Sequence, residues 1–169
     1  MWTYKNPVHI FGGADSLRAL QTGIVETPYV IVTYKDDFFH GLVKKISTLV
    51  GTAPIGVVEV VESNPSFEAM QSLCKNLADM QEKPRTLIAL GGGSVIDACK
   101  ALSACGGSYQ TLYNYFFASG SLPNTAIPFI AIPTTSGTGS EVTSWATLWD
   151  MKNKKKYSCL LYTSDAADD

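Results

Sequence analysis

The residues of this chain most clearly suited to holding an anion are Gly91-Gly92-Gly93-Ser94, three glycines and a serine at the end of an apolar run. A diphosphate must come close to the backbone, and a Cβ on any of the glycines would stand in its way. The apolar run Thr86–Leu90 reads as a strand, and Val95, Ile96, Ala98 and Leu102 recur beyond the glycines at helical spacing. Ser94 is therefore read as the cap of a helix whose free N–H groups and positive dipole end would hold the anion. Asp97 in the first turn would repel a phosphate and is expected to point away or to bond a neighbouring loop. The segment is neither GxGxxG nor a Walker loop, since the GK[ST] ending is missing.

A second cluster carries hydroxyls. Thr134, Thr135, Ser136, Thr138, Ser140 and Thr143 follow the strand-like run Phe129–Ile132, with Gly137 and Gly139 as hinges. Such a loop can bond phosphate, ribose or carboxamide without adding charge. Taken alone, the glycine run reads as a tight turn and the hydroxyl run as a solvated loop. Two such segments at the ends of two strands point instead to a ligand, because α/β sheets bind at the carboxyl ends of their strands.

Other catalytic constellations are not visible. His9 and His40 are the only histidines and lack metal-ligand spacing, so both are read as structural or solvated. Cys74, Cys99, Cys105 and Cys159 form no CxxC pair, and Cys99 and Cys105 read as small buried residues. A reduced cytoplasmic protein is expected.

The elements that must position these residues alternate, as in an α/β domain with a parallel sheet. Tyr29–Thr33 and Ile55–Val61 are strand-like; Phe38 to Val50 has helical periodicity, with Gly51 at its C-cap position. Asn64-Pro65 is read as opening a helix, Pro65 in its first turn, with Phe67, Met70, Leu73, Cys74, Leu77 and Met80 as its apolar stripe. Ser144–Asp150 followed by Met151–Lys154 reads as a hairpin, with Lys156 after it. The 169 residues suffice for one ordinary domain. With 46% hydrophobic and 17% charged residues the chain reads as globular, and a net charge of −2 gives no field for nucleic acid or an anionic membrane. No apolar run approaches a membrane span, and the N-terminus does not read as a signal peptide.

The last eleven residues, Cys159–Asp169, fall outside this pattern. They resemble a translated sequencing adapter, so the domain is expected to occupy residues 1–158 and the tail 159–169 to be non-native; the alternative is a natural polar C-terminus.

NPVHIFGGADSL, ESNPS at 62–66, LIALGGGSVIDACKAL and IPFIAIPTTSGTGSEVTSWATLWD followed by KNKKKYS resemble, in order and spacing, the iron-containing alcohol dehydrogenase family. The N-terminal and SLPNTAIPF regions are similar to its phosphonoacetaldehyde reductase branch. Glycerol dehydrogenases and dehydroquinate synthases share the fold and part of the first glycine motif. The resemblance implies a Rossmann-like parallel sheet with flanking helices and a terminal hairpin. It implies NAD or NADP as cofactor and a small alcohol or aldehyde as substrate. It further implies a homo-oligomeric parent with a divalent metal, iron or zinc, bound by one Asp and three His. Those ligands would lie in an all-helical domain beyond Ser158, absent from this sequence, so the chain as it stands is expected to bind nucleotide weakly and to turn over no alcohol.

By the same resemblance, Gly91, Gly92, Gly93 and Ser94 would bind the cofactor diphosphate. Thr134, Thr135 and Thr138 would line the phosphate and nicotinamide side, Asn64 would approach the adenine ribose, and Lys156 would reach a ribose. The other lysines, Lys152, Lys154 and Lys155, read as a solvated hairpin tip. One departure concerns cofactor choice: Tyr34, then Lys35, stands where many NAD-using members carry an aspartate. The carboxylates come later, at Asp36 and Asp37; losing one at position 34 removes repulsion against a 2′-phosphate and Lys35 could attract one, which opens the site to NADP alongside NAD.

Overall fold

The computed structural model of the chain describes residues 8–60 and 63–160. Val61, Glu62 and the stretch 161–169 of the expected tail lie outside the described residues. Four strands, β1 (Tyr29–Tyr34), β2 (Gly56–Val60), β3 (Thr86–Gly91) and β4 (Phe129–Pro133), form one parallel sheet in the order β2-β1-β3-β4. The strand order reverses between β1 and β3, so a switch point opens at their carboxyl ends.

Both faces of the sheet are covered, which explains strands that read as near-continuous apolar runs. Val30, Val32, Val58, Val60, Leu87 and Ala89 face one core, shared with α2 (Phe67–Ala78), α3 (Gly93–Ala104) and α4 (Tyr109–Phe117). Tyr29, Ile31, Ile88 and Leu90 point the other way, toward α1 (Asp37–Val50) and a 3₁₀ turn at Ser16–Thr22. Helix α1 begins where the Asp36 carboxylate accepts the Phe38 N–H at 2.8 Å and ends at Gly51, whose φ of 84° is the left-handed conformation glycine tolerates.

Two sequence expectations require correction here. Pro65 does not sit in the first turn of α2; Ser66 is the N-cap, its hydroxyl accepting the Ala69 N–H at 3.0 Å. Pro65 stays outside because its carbonyl is used elsewhere, accepting the Trp149 N–H at 2.9 Å. Met80 falls beyond the helix, past its cap at Asp79. Helix α4 was not foreseen, although Ser108 caps it and Tyr109, Leu112, Tyr113, Phe116 and Phe117 have helical spacing. Its Phe116 and Phe117 meet Phe67 and Tyr157 with ring centroids 5.0–5.8 Å apart.

The hairpin consists of β5 (Trp145–Asp150) and β6 (Lys155–Leu160), antiparallel and outside the main sheet. Asp150 fixes its turn by accepting the Asn153 N–H at 2.9 Å and the Asn153 side-chain amide at 2.7 Å. The strand β6 runs through Leu160, two residues past the boundary expected at Ser158. Among the described residues no helix is long and apolar enough to cross a membrane.

Candidate functional site

A cleft of about 360 Å³ opens at the carboxyl end of β3. Its walls are Asn64 and Pro65 before α2, Gly93, Ser94 and Asp97 at the start of α3, Thr138 and Ser140 of the hydroxyl loop, and Thr147, Trp149 and Lys156 of the hairpin. A larger concavity of about 440 Å³ between the 3₁₀ turn and α1 lies away from this chemistry. Its charged pair, Arg18 and Asp15 at 3.6 Å, is solvent-exposed and carries little meaning for binding.

The helix start differs from the expectation. Gly92, in extended conformation, is the N-cap of α3, and Ser94 is the second helical residue. The first intrahelical bond runs from the Ile96 N–H to the Gly92 carbonyl at 3.1 Å, so the N–H groups of Gly93, Ser94 and Val95 have no acceptor within the helix. Whereas Asp36, Ser66 and Ser108 cap their helices with side chains, α3 has no side-chain cap. The Ser94 hydroxyl instead donates to the Ser63 carbonyl and joins α3 to the segment before α2.

The three glycines serve different purposes. At Gly93 a Cβ would lie 3.0 Å from Thr138 Oγ1 and 3.2 Å from Ser140 Oγ, and at Gly92 it would lie 2.9 Å from Thr135 Oγ1. These glycines let the hydroxyl loop close over the helix start, and the Thr134 N–H bonds the Gly91 carbonyl at 3.0 Å to seat it. Gly91 is the last residue of β3 and fully buried; its Cβ would strike Val95 Cγ2 at 2.7 Å. The need for glycine at 91 is thus strand-to-helix packing.

The structure brings Asn64, Gly93, Ser94, Thr138 and Lys156 together on the cleft. Gly92 and Thr135 meet each other outside that lining, and Thr134 and Gly91 secure the loop without lining it. Tyr34 does not reach the cleft; its ring packs edge-on against Phe39 at 5.3 Å. Lys156 lies within the second hairpin strand, opposite Trp149, with its Nζ 5.9 Å from the indole centroid.

Trp149, Thr147 and Pro65 escaped sequence reading as site residues, whereas Ser140 belongs to the hydroxyl cluster read from the sequence. The hairpin signal placed the first two on a strand, but nothing local told that its face would meet α3. Asp97 behaves as expected in turning from the helix start: its Oδ2 accepts the Thr147 N–H at 3.1 Å. Its Oδ1 is buried with no hydrogen-bond partner among the described residues and lies 3.9 Å from Lys100 Nζ. Burial raises the Asp97 carboxyl above its ordinary value, a shift opposed by the Thr147 N–H and by Lys100. Lys100, itself buried, donates to the Trp145 carbonyl at 2.7 Å and to Thr143 Oγ1 at 3.3 Å. The ion pair on α3 therefore holds the hairpin wall.

This arrangement offers N–H groups, hydroxyls and one exposed lysine, a donor set suited to a diphosphate and to ribose. It does not suit a metal: among the described residues no three His, Cys, Asp or Glu side chains converge. His9 is exposed and His40 bonds Glu59 at 3.0 Å, away from the cleft. Cys99 is fully buried, and burial pushes its thiol up.

A family model described as iron-containing alcohol dehydrogenase matches residues 7–167. The chain is 32% identical over 162 residues to an NADPH-dependent butanol dehydrogenase of Clostridium saccharobutylicum, covering 93% of this chain and 41% of that protein. It is 34% identical over 113 residues to a phosphonoacetaldehyde reductase of Streptomyces viridochromogenes, covering 62% of this chain and 28% of that one. Among solved structures, the sulfoacetaldehyde reductase from Bifidobacterium kashiwanohense in complex with NAD+ superposes with a TM-score of 0.80 at 25% identity, over 95% of this chain and 43% of that one. The chain thus spans less than half the length of these relatives.

Proposed function

The chain belongs to the iron-containing alcohol dehydrogenase family, and from that premise we propose that it is the dinucleotide-binding part of an oxidoreductase that transfers a hydride between NAD(P) and a primary alcohol or aldehyde. The observation that carries this reading is the uncapped start of α3 beneath the hydroxyl loop, at the switch point of the sheet. The free N–H groups of Gly93, Ser94 and Val95 would take the diphosphate, with Thr138 and Ser140 as neutral partners. Asn64 and Lys156 flank that position and would take the ribose hydroxyls. Gly92, Thr134 and Thr135 would act by holding the loop closed. When bound, the nicotinamide ring supplies the hydride acceptor or donor.

The protein's part within this segment is orientation. Asp97 and Lys100 fix the hairpin wall, and the loop shields the helix start from water. The described residues do not fit a metal, so no step through one is assigned to them. On this reading the segment alone binds nucleotide without turning over alcohol.

For the cofactor, we read Tyr34 and Lys35 as permitting a 2′-phosphate at the carboxyl end of β1, because Tyr34 puts no carboxylate at that position and the carboxylates come later, at Asp36 and Asp37. Fluorescence titration of the full chain with NADPH and NADH tests both points. Saturable binding that Gly93→Asp abolishes is the expected result, since a carboxylate there opposes the diphosphate. Binding unchanged by Gly93→Asp would reject the site, and a clear preference for NADH would reject the 2′-phosphate reading.

A further inference from the structure

The strands of the hairpin send alternate residues to opposite sides. Ala146, Leu148 and Asp150 are buried, while Thr147 and Trp149 turn to the cleft with Lys156 directly across from Trp149. The Trp149 backbone is secured: its N–H bonds the Pro65 carbonyl at 2.9 Å, and Ser66 forms a parallel bridge with it. The indole is half-buried, so it keeps an accessible face beside the cleft. Over it lies the exposed Lys156, its Nζ 5.9 Å from the centroid. A solvent-exposed lysine over a half-buried indole is weakly held. Across the cleft stand the free N–H groups of α3, which suit an anion. One side of the cleft therefore fits phosphate and the other offers an aromatic plane, a pairing that matches a nucleotide.

We propose that Trp149 is a stacking platform for a planar heteroaromatic ring of the bound dinucleotide, and that Lys156 leaves the indole for the ligand's phosphate or ribose oxygens as the ring arrives. This rests on the dinucleotide-binding reading above. Adenine and nicotinamide are both planar heteroaromatics, so the platform is defined by that shared chemistry, and the mononucleotides separate the two. Stacking of a base on an aromatic side chain is strong enough to displace a surface lysine.

Calorimetric titrations of the full chain and of its Trp149→Phe and Trp149→Leu variants, with NADPH, NADH, AMP, nicotinamide mononucleotide and pyrophosphate, test the platform. Trp149→Leu is expected to weaken dinucleotide binding about ten-fold and Trp149→Phe by no more than about two-fold. Pyrophosphate affinity should not fall, since Lys156 is already free of the indole in Trp149→Leu, which also verifies that the variant is folded. The mononucleotide whose affinity falls identifies the ring. An independent readout uses a chain in which Trp2 and Trp145 are replaced by phenylalanine, leaving Trp149 alone: dinucleotide must quench its emission. Parent-like dinucleotide affinity in Trp149→Leu, or an unquenched Trp149, overturns the platform while leaving the dinucleotide reading intact. A parent chain that binds no dinucleotide overturns both.

Discussion

Replacing Gly91 with alanine separates packing from ligand binding within the glycine run. A Cβ at this position would lie 2.7 Å from Val95 Cγ2, 2.8 Å from Val95 Cβ and 3.2 Å from Val95 Cγ1. Carbon atoms prefer about 3.5–4.0 Å, so the new methyl intrudes by roughly 0.8 Å. Rotating Val95 moves its γ carbons but not its Cβ, which the first turn of α3 fixes. Retreat in the other direction is blocked because β3 is paired on both sides, with β1 and β4. Overpacking of this kind costs about 1–3 kcal/mol, and the stiffer unfolded chain returns about 0.4–1 kcal/mol. The net loss should be about 1–2 kcal/mol, or roughly 2–8 °C in Tm for a domain of this size. Urea denaturation of the parent, Gly91→Ala, Val95→Ala and the double variant provides the assay. Val95→Ala removes both γ contacts, so Gly91→Ala should cost less in that background, with a coupling of about 0.5 kcal/mol or more. A Gly91→Ala protein within about 0.5 kcal/mol of the parent, or an equal penalty in both backgrounds, would refute the packing argument.

Three further outcomes are expected. Ser66→Ala removes the cap of α2 and should lower stability by about 1 kcal/mol in urea, with faster hydrogen exchange at the Trp149 amide, whose anchor adjoins that cap; an unchanged exchange rate would separate the two. Because burial raises the Asp97 carboxyl above 3.8, the folded chain holds that proton more tightly than the unfolded one. The resulting stabilisation is complete below about pH 3.8 and is lost as pH rises through the raised value. Parent stability minus that of Asp97→Asn should therefore fall as pH rises above 3.8, and a flat difference would count against the buried, part-paired carboxylate. The Cys99 thiol, raised by burial and enclosed by α3, should react with a disulfide reagent only as fast as the protein unfolds; rapid native-state labelling of Cys99 would disprove its enclosure.

Much of this architecture was legible in the residues because its signals are local. The β-branched runs at Tyr29–Thr33 and Thr86–Leu90, the stripe of α1 and its Gly51 cap each state their element without reference to the rest. The helix start after the glycines was legible too, but its first residue was not. Ser94 has a good capping side chain, yet Gly92 takes the N-cap because the loop from Thr134 to Ser140 presses on that turn, a long-range contact. Tyr34 ends β1, as its position in the sequence implies, and its ring packs on Phe39. Trp149 and Thr147 became site residues only through tertiary placement. Their alternation told which residues share a face, while the pairing of that face with α2 and α3 depends on Pro65, Asp97 and Lys100, some 45 to 84 residues away in the chain.

The hairpin's buried face is held by side chains, Ala146 and Leu148 among them, but its cleft-facing strand is anchored through the main chain. Asp97 takes the Thr147 N–H, Lys100 reaches the Trp145 carbonyl, and Pro65 takes the Trp149 N–H. None of these anchors depends on the side chain at 145, 147 or 149. Those positions can exchange residue types while the strand keeps its distance from α3. A lineage, or an experimenter, could then vary the chemistry facing the cleft at 147 and 149 one residue at a time, with the mount left standing.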